Sequence, residues 1–193
     1  PLDLGTWPGI LQTIRRPAAS VRIAVVGKYS ELQDAYKSIY EALDHGGIAN
    51  SCKVQVKRVL AEAVESDGPQ HHLGDVRGVL VPGGFGLRGI EGKVAAAGFA
   101  RQGNIPYLGL CLGMQCAAIE FARNVCGLAG ADTAENRPDC PHPVICLMDQ
   151  QRQVTHKGGT MRLGGWPCAI AGASRAAAAY AAGEVRERHR HRY

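Results

Sequence analysis

Short apolar runs that close on glycine recur along this chain, each followed by residues with helical spacing, and that alternation narrows the fold more than any other feature. Residues 21–26 (VRIAVV) are almost continuously apolar and end at Gly27. A strand with one wet face alternates apolar and polar residues, whereas an unbroken run suits a strand covered on both faces, as in a parallel sheet. Asp34 is placed to cap a following helix in which Ala35, Ile39 and Leu43 share a face, with Gly46 and Gly47 as its stop. Val54, Val56 and Val59 mark a second strand, and residues 78–81 (GVLV) a third that runs into PGGFG at 82–86. A helix over about 90–101, a strand over 106–110 (PYLGL), a helix from Leu112 to about Arg123 and a weaker strand over 143–148 continue the series. Strands alternating with helices form βαβ units, so the expected class is α/β: a three-layer sandwich around a central, mostly parallel sheet. Ligands of such sheets sit beyond the carboxyl ends of the strands. PGGFG and the turn at Cys111 are both there.

Composition adds boundaries. A length of 193 residues suits one domain, and 46% hydrophobic with 20% charged residues excludes disordered and collagen-like chains. No apolar stretch approaches the roughly 20 residues of a membrane helix, and the opening PLDLGTWPGI has no secretory leader pattern, so a cytoplasmic chain without membrane contact is expected. Residues 1–20, punctuated by Pro1, Pro8 and Pro17 around Ile10, Leu11 and Ile14, read as an interdomain linker or strap, with the domain over 21–193. The last ten residues carry four arginines against two glutamates; lacking an RNA-binding motif or interleaved aromatics, they read as a solvated or partner-facing segment, not a nucleic-acid site. The polar stretch between 144 and 158 reads as a loop, and 174–183 is alanine-rich. Seven cysteines, with no paired metal spacing and no regular framework, exclude a zinc site or disulfide scaffold and read mostly as small buried hydrophobes.

One cysteine is different. Gly109-Leu110-Cys111-Leu112-Gly113 is a G-x-C-x-G at a predicted strand-to-helix turn, the thiol version of a nucleophile elbow. The glycines let the backbone turn sharply, and the helix N-terminus favours a thiolate at Cys111. Cys116, about a turn further on, has none of this context and reads as core. The glycines of PGGFG allow backbone N–H groups to converge, as an oxyanion hole or a phosphate turn requires. Gly27-Lys28-Tyr29 is not a dinucleotide fingerprint.

VGKYSELQDAYKSIYEAL (26–43), VPGGFGLRGIEGK (81–93), IPYLGLCLGMQCA (105–117), GGTMRLG (158–164) and RERHRHRY (186–193) resemble the class I, triad-type glutamine amidotransferase domain of the CTP synthases, along the whole chain. The resemblance implies a flavodoxin-like class I amidotransferase fold. It implies that Cys111 attacks the side-chain amide of L-glutamine to give a γ-glutamyl thioester and ammonia. It implies oxyanion and glutamine contacts from Gly84, Leu112, Gly113, Met114 and Gln115. Glu135 then takes the substrate α-ammonium, and Arg192 its α-carboxylate. Asp132-Thr133 replaces the family's Asn-Ser before x-Glu, with the hydroxyl kept. Lys28, Tyr29, Asp34, Tyr36, Lys37 and Arg88 fall in motifs that the family uses near its domain interface and ammonia route.

The same resemblance implies a separate synthetase domain holding ATP, UTP and Mg²⁺, no cofactor in this chain, and a homotetrameric full-length enzyme. It places the triad's His and Glu beyond R-H-R-Y, so residues 1–193 are expected to be an incomplete amidotransferase domain that turns glutamine over poorly and exposes apolar surface. His189 and His191, inside RHRY, are not expected to act as the base. Two other readings are a different triad-type hydrolase on the same scaffold and a non-catalytic module.

Overall fold

The computed structural model describes residues 4–28, 33–152 and 161–193. They form two compact units, Pro1–Val144 and Ile145–Tyr193. Pro1, Tyr29 and residues 158–160 of GGTMRLG lie outside the described residues.

The first unit is built on a parallel sheet. Strand β1 (Ala19–Gly27) pairs with β2 (Cys52–Leu60) and β3 (Gly78–Val81), and β3 with β4 (Tyr107–Gly109), in the order β2-β1-β3-β4. Alternate residues of β1 explain why its apolar run is unbroken. Ala24 and Val26 pack with Val59, Val79 and Val81 against helices α3 (Ala61–Asp67), α4 (Pro69–Leu73) and α5 (Ile90–Gln102) on one face. Ile23 and Val25 pack with Leu80 and Val56 against Tyr36 and helix α2 (Lys37–Ala49) on the other. Helices on both faces of a parallel sheet give the α/β three-layer class that the alternation implied.

Several local expectations need correction. The first strand begins at Ala19, and the 1–20 segment holds helix α1 (Trp7–Arg15), with Pro8 at its start where the missing N–H costs nothing. Asp34 caps no α-helix: it lies in a 3₁₀ turn, Gln33–Tyr36, and α2 has no side-chain cap. Gly46 and Gly47 do not stop α2, which continues to Ala49. Gly47 is there for contact: a side-chain carbon on it would sit 2.5 Å from the Cys52 carbonyl oxygen, so the helix crosses β2 on bare backbone.

Helix α6 (Leu112–Asn124) follows β4, and β5 (Ala131–Thr133) pairs with β6 (His142–Ile145), the weaker strand expected at 143–148. In the second unit, β7 (Arg162–Ala169) and β8 (Glu184–His191) form an antiparallel pair. Helix α7 (Arg175–Tyr180) lies between them in sequence and is capped by Ser174 Oγ, which accepts from Ala177 N–H at 3.0 Å. The arginine-rich end, read as a solvated or partner-facing segment, lies in strand β8. Arg186, Arg188 and Arg190 line its exposed side, while Val185, Glu187, His189 and His191 are half-buried. The cysteines also differ from expectation. Only Cys116 and Cys140 are buried; Cys111, Cys126, Cys146 and Cys168 are exposed. Among the described residues no helix is long and apolar enough to cross a membrane.

Candidate active site

The turn between β4 and α6 owes its shape to two glycines that admit no side chain. A Cβ on Gly113 would lie 2.0 Å from the Val81 carbonyl oxygen, and one on Gly109 would lie 2.5 Å from Gly113 C and Met114 N. The start of α6 is thereby pressed onto the ends of β3 and β4. Leu110 N–H donates to Val81 O at 2.9 Å, Gly113 N–H donates to Leu110 O at 2.9 Å, and Tyr107 Oη donates to Gly113 O at 2.7 Å. Between these ties Cys111 is held at φ 53° and ψ −107°. A non-glycine residue in that region carries strain on the order of 1–3 kcal/mol, and such strain gathers at functional sites.

The PGGFG loop lies beside this turn. A Cβ on Gly83 would stand 3.3 Å from Cys111 Cβ and 3.9 Å from its Sγ. Gly84 faces Leu112, its Cβ position 3.8 Å from Leu112 Cδ2. Lys28, the last described residue after β1, secures the loop from beneath: its ammonium donates to Phe85 O and, at 2.9 Å, to Gly86 O. Lys28 and Tyr36 are buried, and Tyr36 Oη accepts the Lys28 N–H at 3.1 Å, so these two residues are structural parts of the loop's support. Arg88 donates to Lys28 O at 3.2 Å and pairs with Glu62 at 2.9 Å, while Asp34 and Lys37 are exposed.

Charge at the sulfur runs against one expectation. The helix end was read as favouring the thiolate, yet the Cys111 thiol is held above its ordinary pKa. Although the residue is exposed overall, partial cover of its sulfur contributes most, the Leu112 N–H pulls the other way, and the Glu135 carboxylate adds to the rise. Glu135 is exposed after β5 and within electrostatic reach of Cys111. Its turn is built locally. Thr133 Oγ1 accepts the Glu135 N–H at 3.2 Å, and buried Asp132 accepts from Thr133 N–H at 2.8 Å and Arg123 at 3.1 Å. The Asp-Thr pair thus supports the turn with its own hydrogen bonds.

The remaining candidates divide. Leu112, Gly113 and Gln115 are buried at the start of α6, and Met114 is exposed. Cys116 is buried, its thiol pushed up to about 11 by burial, as a core cysteine's is. Arg192 belongs to the second unit, where its guanidinium donates to Gln151 Oε1 at 3.3 Å. His189 and His191 face each other on β8, Nδ1 to Nδ1 at 3.1 Å. Among the described residues no three His, Cys, Asp or Glu side chains are grouped as metal ligands would be. The residue that motif reading passed over is Lys93: it closes the IEGK of the quoted motif, and it is fully buried in the first turn of α5.

Residues 31–193 match the family model described as "Glutamine amidotransferase class-I". The chain is 56% identical to a CTP synthase of Trichlorobacter lovleyi and 53% identical to one of Cytophaga hutchinsonii, over 99% of its own length in each case. It spans 36% and 35% of those relatives, about a third of their length. A solved structure described as "Trypanosoma brucei CTPS - glutaminase domain with bound acivicin" superposes with a TM-score of 0.81 at 40% identity, covering 90% of this chain and 67% of that one.

Proposed function

This chain belongs to the class-I glutamine amidotransferases, and from that membership we propose that it is the glutaminase part of a CTP synthase, with Cys111 as nucleophile. The observation that carries the reading is Cys111 itself, held at a left-handed φ between two close-packed glycines and set against the PGGFG backbone. Its sulfur attacks the side-chain carbonyl carbon of glutamine. The carbonyl oxygen becomes an oxyanion facing the N–H groups of Gly84 and Leu112, the latter now turned to the sulfur. Collapse breaks the carbon–nitrogen bond and releases ammonia with one added proton, leaving a γ-glutamyl thioester that water hydrolyses to glutamate. Glu135 takes the α-ammonium and Arg192 the α-carboxylate; Gly113, Met114 and Gln115 form the wall beneath the substrate. The ammonia serves a synthetase domain, where ATP, UTP and Mg²⁺ belong, in a cytoplasmic homotetramer with residues 1–20 as the strap between domains.

The test is labelling of Cys111 by a glutamine-like diazo-ketone, mapped by mass spectrometry. Labelling at Cys111 that glutamine suppresses supports the reading; labelling indifferent to glutamine rejects it.

Two further results are expected. The raised thiol has a direction that mutation reads. Substituting Glu135→Gln removes a nearby negative charge, so the Cys111 pKa falls and the thiolate fraction at pH 7 rises. Alkylation of Cys111 by uncharged iodoacetamide is then faster by roughly two- to fivefold, while protection by glutamine is lost. Slower alkylation in that variant contradicts the assignment. A polypeptide of residues 1–193 alone contains no His–Glu pair assigned to the proton transfers. It is expected to label at Cys111 yet release ammonia at least roughly a thousandfold more slowly than a triad-bearing enzyme. Robust ammonia release from it, measured by a coupled assay, removes that expectation.

A further inference from the structure

Beside the PGGFG loop lies an amine with no hydrogen-bond partner among the described residues. It belongs to Lys93, which is 0% exposed. It lies 3.8 Å from the position a Gly84 side chain would occupy, and Leu112 Cδ2 lies at the same distance from that point. Lys93 is therefore seated against Gly84, on the side that the Leu112 side chain also reaches, and these are the two residues whose amides face the proposed oxyanion.

Burial and the neighbouring like charge argue against a cation there, and only one carboxylate in range argues for it. Burying an unpaired charge is among the most unfavourable substitutions a core can carry. The first turn of α5 adds the positive end of a helix. Lys28 is a like charge within electrostatic range, and the counter-charge in range, Glu62, is shared with Arg88 at 2.9 Å. Cys116, also in range, carries a thiol whose pKa is raised to about 11 and supplies no anion at neutral pH. Three cations thus gather about one carboxylate, and burial holds the Lys93 ammonium below its ordinary pKa. A methionine would fill the same volume without any of these costs. Residues that break a local rule in this way cluster where a protein needs the charge for its chemistry.

We propose that Lys93 is a positioning residue of glutamine hydrolysis, a buried positive charge beside Gly84 and Leu112 that favours negative charge on the substrate oxygen as the tetrahedral intermediate forms. It touches neither substrate nor sulfur. It acts through the field it imposes on the loop, together with Lys28, whose bonds to Phe85 O and Gly86 O hold the peptide units after Gly84 in place. Because the charge is fixed before substrate arrives, no reorganisation is needed at the moment of reaction. Its effect is confined to the intermediate, since neutral glutamine presents no oxyanion.

This inference rests on the glutaminase reading, and its test separates the two. In the whole polypeptide its gene encodes, Lys93→Met is compared with the parent in three measurements. Glutamate γ-semialdehyde, whose adduct with a thiol carries a tetrahedral oxygen, is titrated against diazo-ketone labelling of Cys111. Glutamine protection is titrated in the same way. Thermal melting reports the fold. The expected result is semialdehyde affinity weakened tenfold or more, glutamine protection changed less than twofold, and a melting temperature equal to or above the parent's. Equal weakening of both ligands, no weakening of either, or a lower melting temperature assigns Lys93 to packing and overturns the proposal. A parent that glutamine fails to protect overturns the glutaminase reading, and the Lys93 inference with it. A protected parent with an indifferent Lys93→Met variant overturns the Lys93 inference alone.

Discussion

Cys111→Ala is expected to abolish covalent labelling by the glutamine-like electrophile, leaving background modification spread over the other six cysteines. Without the sulfur no covalent adduct forms at that peptide, so the loss there is complete. Cys126 and Cys168 are exposed, so generic alkylation continues at them and serves as an internal control. The stability of the variant carries separate information. Alanine keeps the strained φ of 53°, whereas Cys111→Gly removes it and is expected to stabilise the fold by about 1 kcal/mol. A glycine variant that is less stable than the parent shows that the turn is not strained.

Gly113→Ala carries a large expected loss of stability. The added methyl would meet the Val81 carbonyl oxygen at 2.0 Å, and that oxygen is already the acceptor for Leu110 N–H. Neither partner is a flexible side-chain end, so α6 must move away from β3. The cost expected is about 3 kcal/mol or more, with loss of glutamine-protected labelling because Cys111 moves with the helix. Gly46→Ala is the matched control. It lies inside α2, where a Cβ meets nothing within 4 Å, and should stabilise by about 0.5–1 kcal/mol through helix propensity. Urea unfolding midpoints of the two variants, read against the parent, are expected to move in opposite directions. Equal shifts would remove the packing argument for the elbow.

What could be read before any coordinates follows from burial. The run at 21–26 required cover on both faces, and β1 sends alternate residues into a cluster on each side. The third strand, its glycine loop and the cysteine turn were legible for a related reason: only glycine permits backbone on backbone, and the approach distances at Gly109 and Gly113 are those of a site with no room for a side chain. The errors share a cause too. Gly46 and Gly47 look like helix stops, but a glycine serves a turn or a contact with equal ease, and the neighbour that decides, Cys52 O, comes from the next strand. The terminal arginines, read as a solvated or partner-facing segment, are exposed as that reading requires, and what their alternation with half-buried residues adds is the period of a strand.

The elbow thiol shows the limit most clearly. That Cys111 sits where a nucleophile would sit is a property of its neighbours in sequence. Its resting pKa is not, because the sulfur's cover and the Glu135 carboxylate come from other parts of the fold and outweigh the Leu112 N–H. Lys93 is the same lesson in reverse: in sequence it is one lysine in a helix, and only packing reveals that it is buried beside Gly84 with no hydrogen-bond partner among the described residues. The alternation of strands and helices around the parallel sheet and the glycine turn at Cys111 were determined by sequence alone, since they depend on local backbone sterics and on which residues must leave water. Which charges act on one another was decided by tertiary structure alone, because electrostatic energy depends on distance and burial, and neither is a function of separation along the chain.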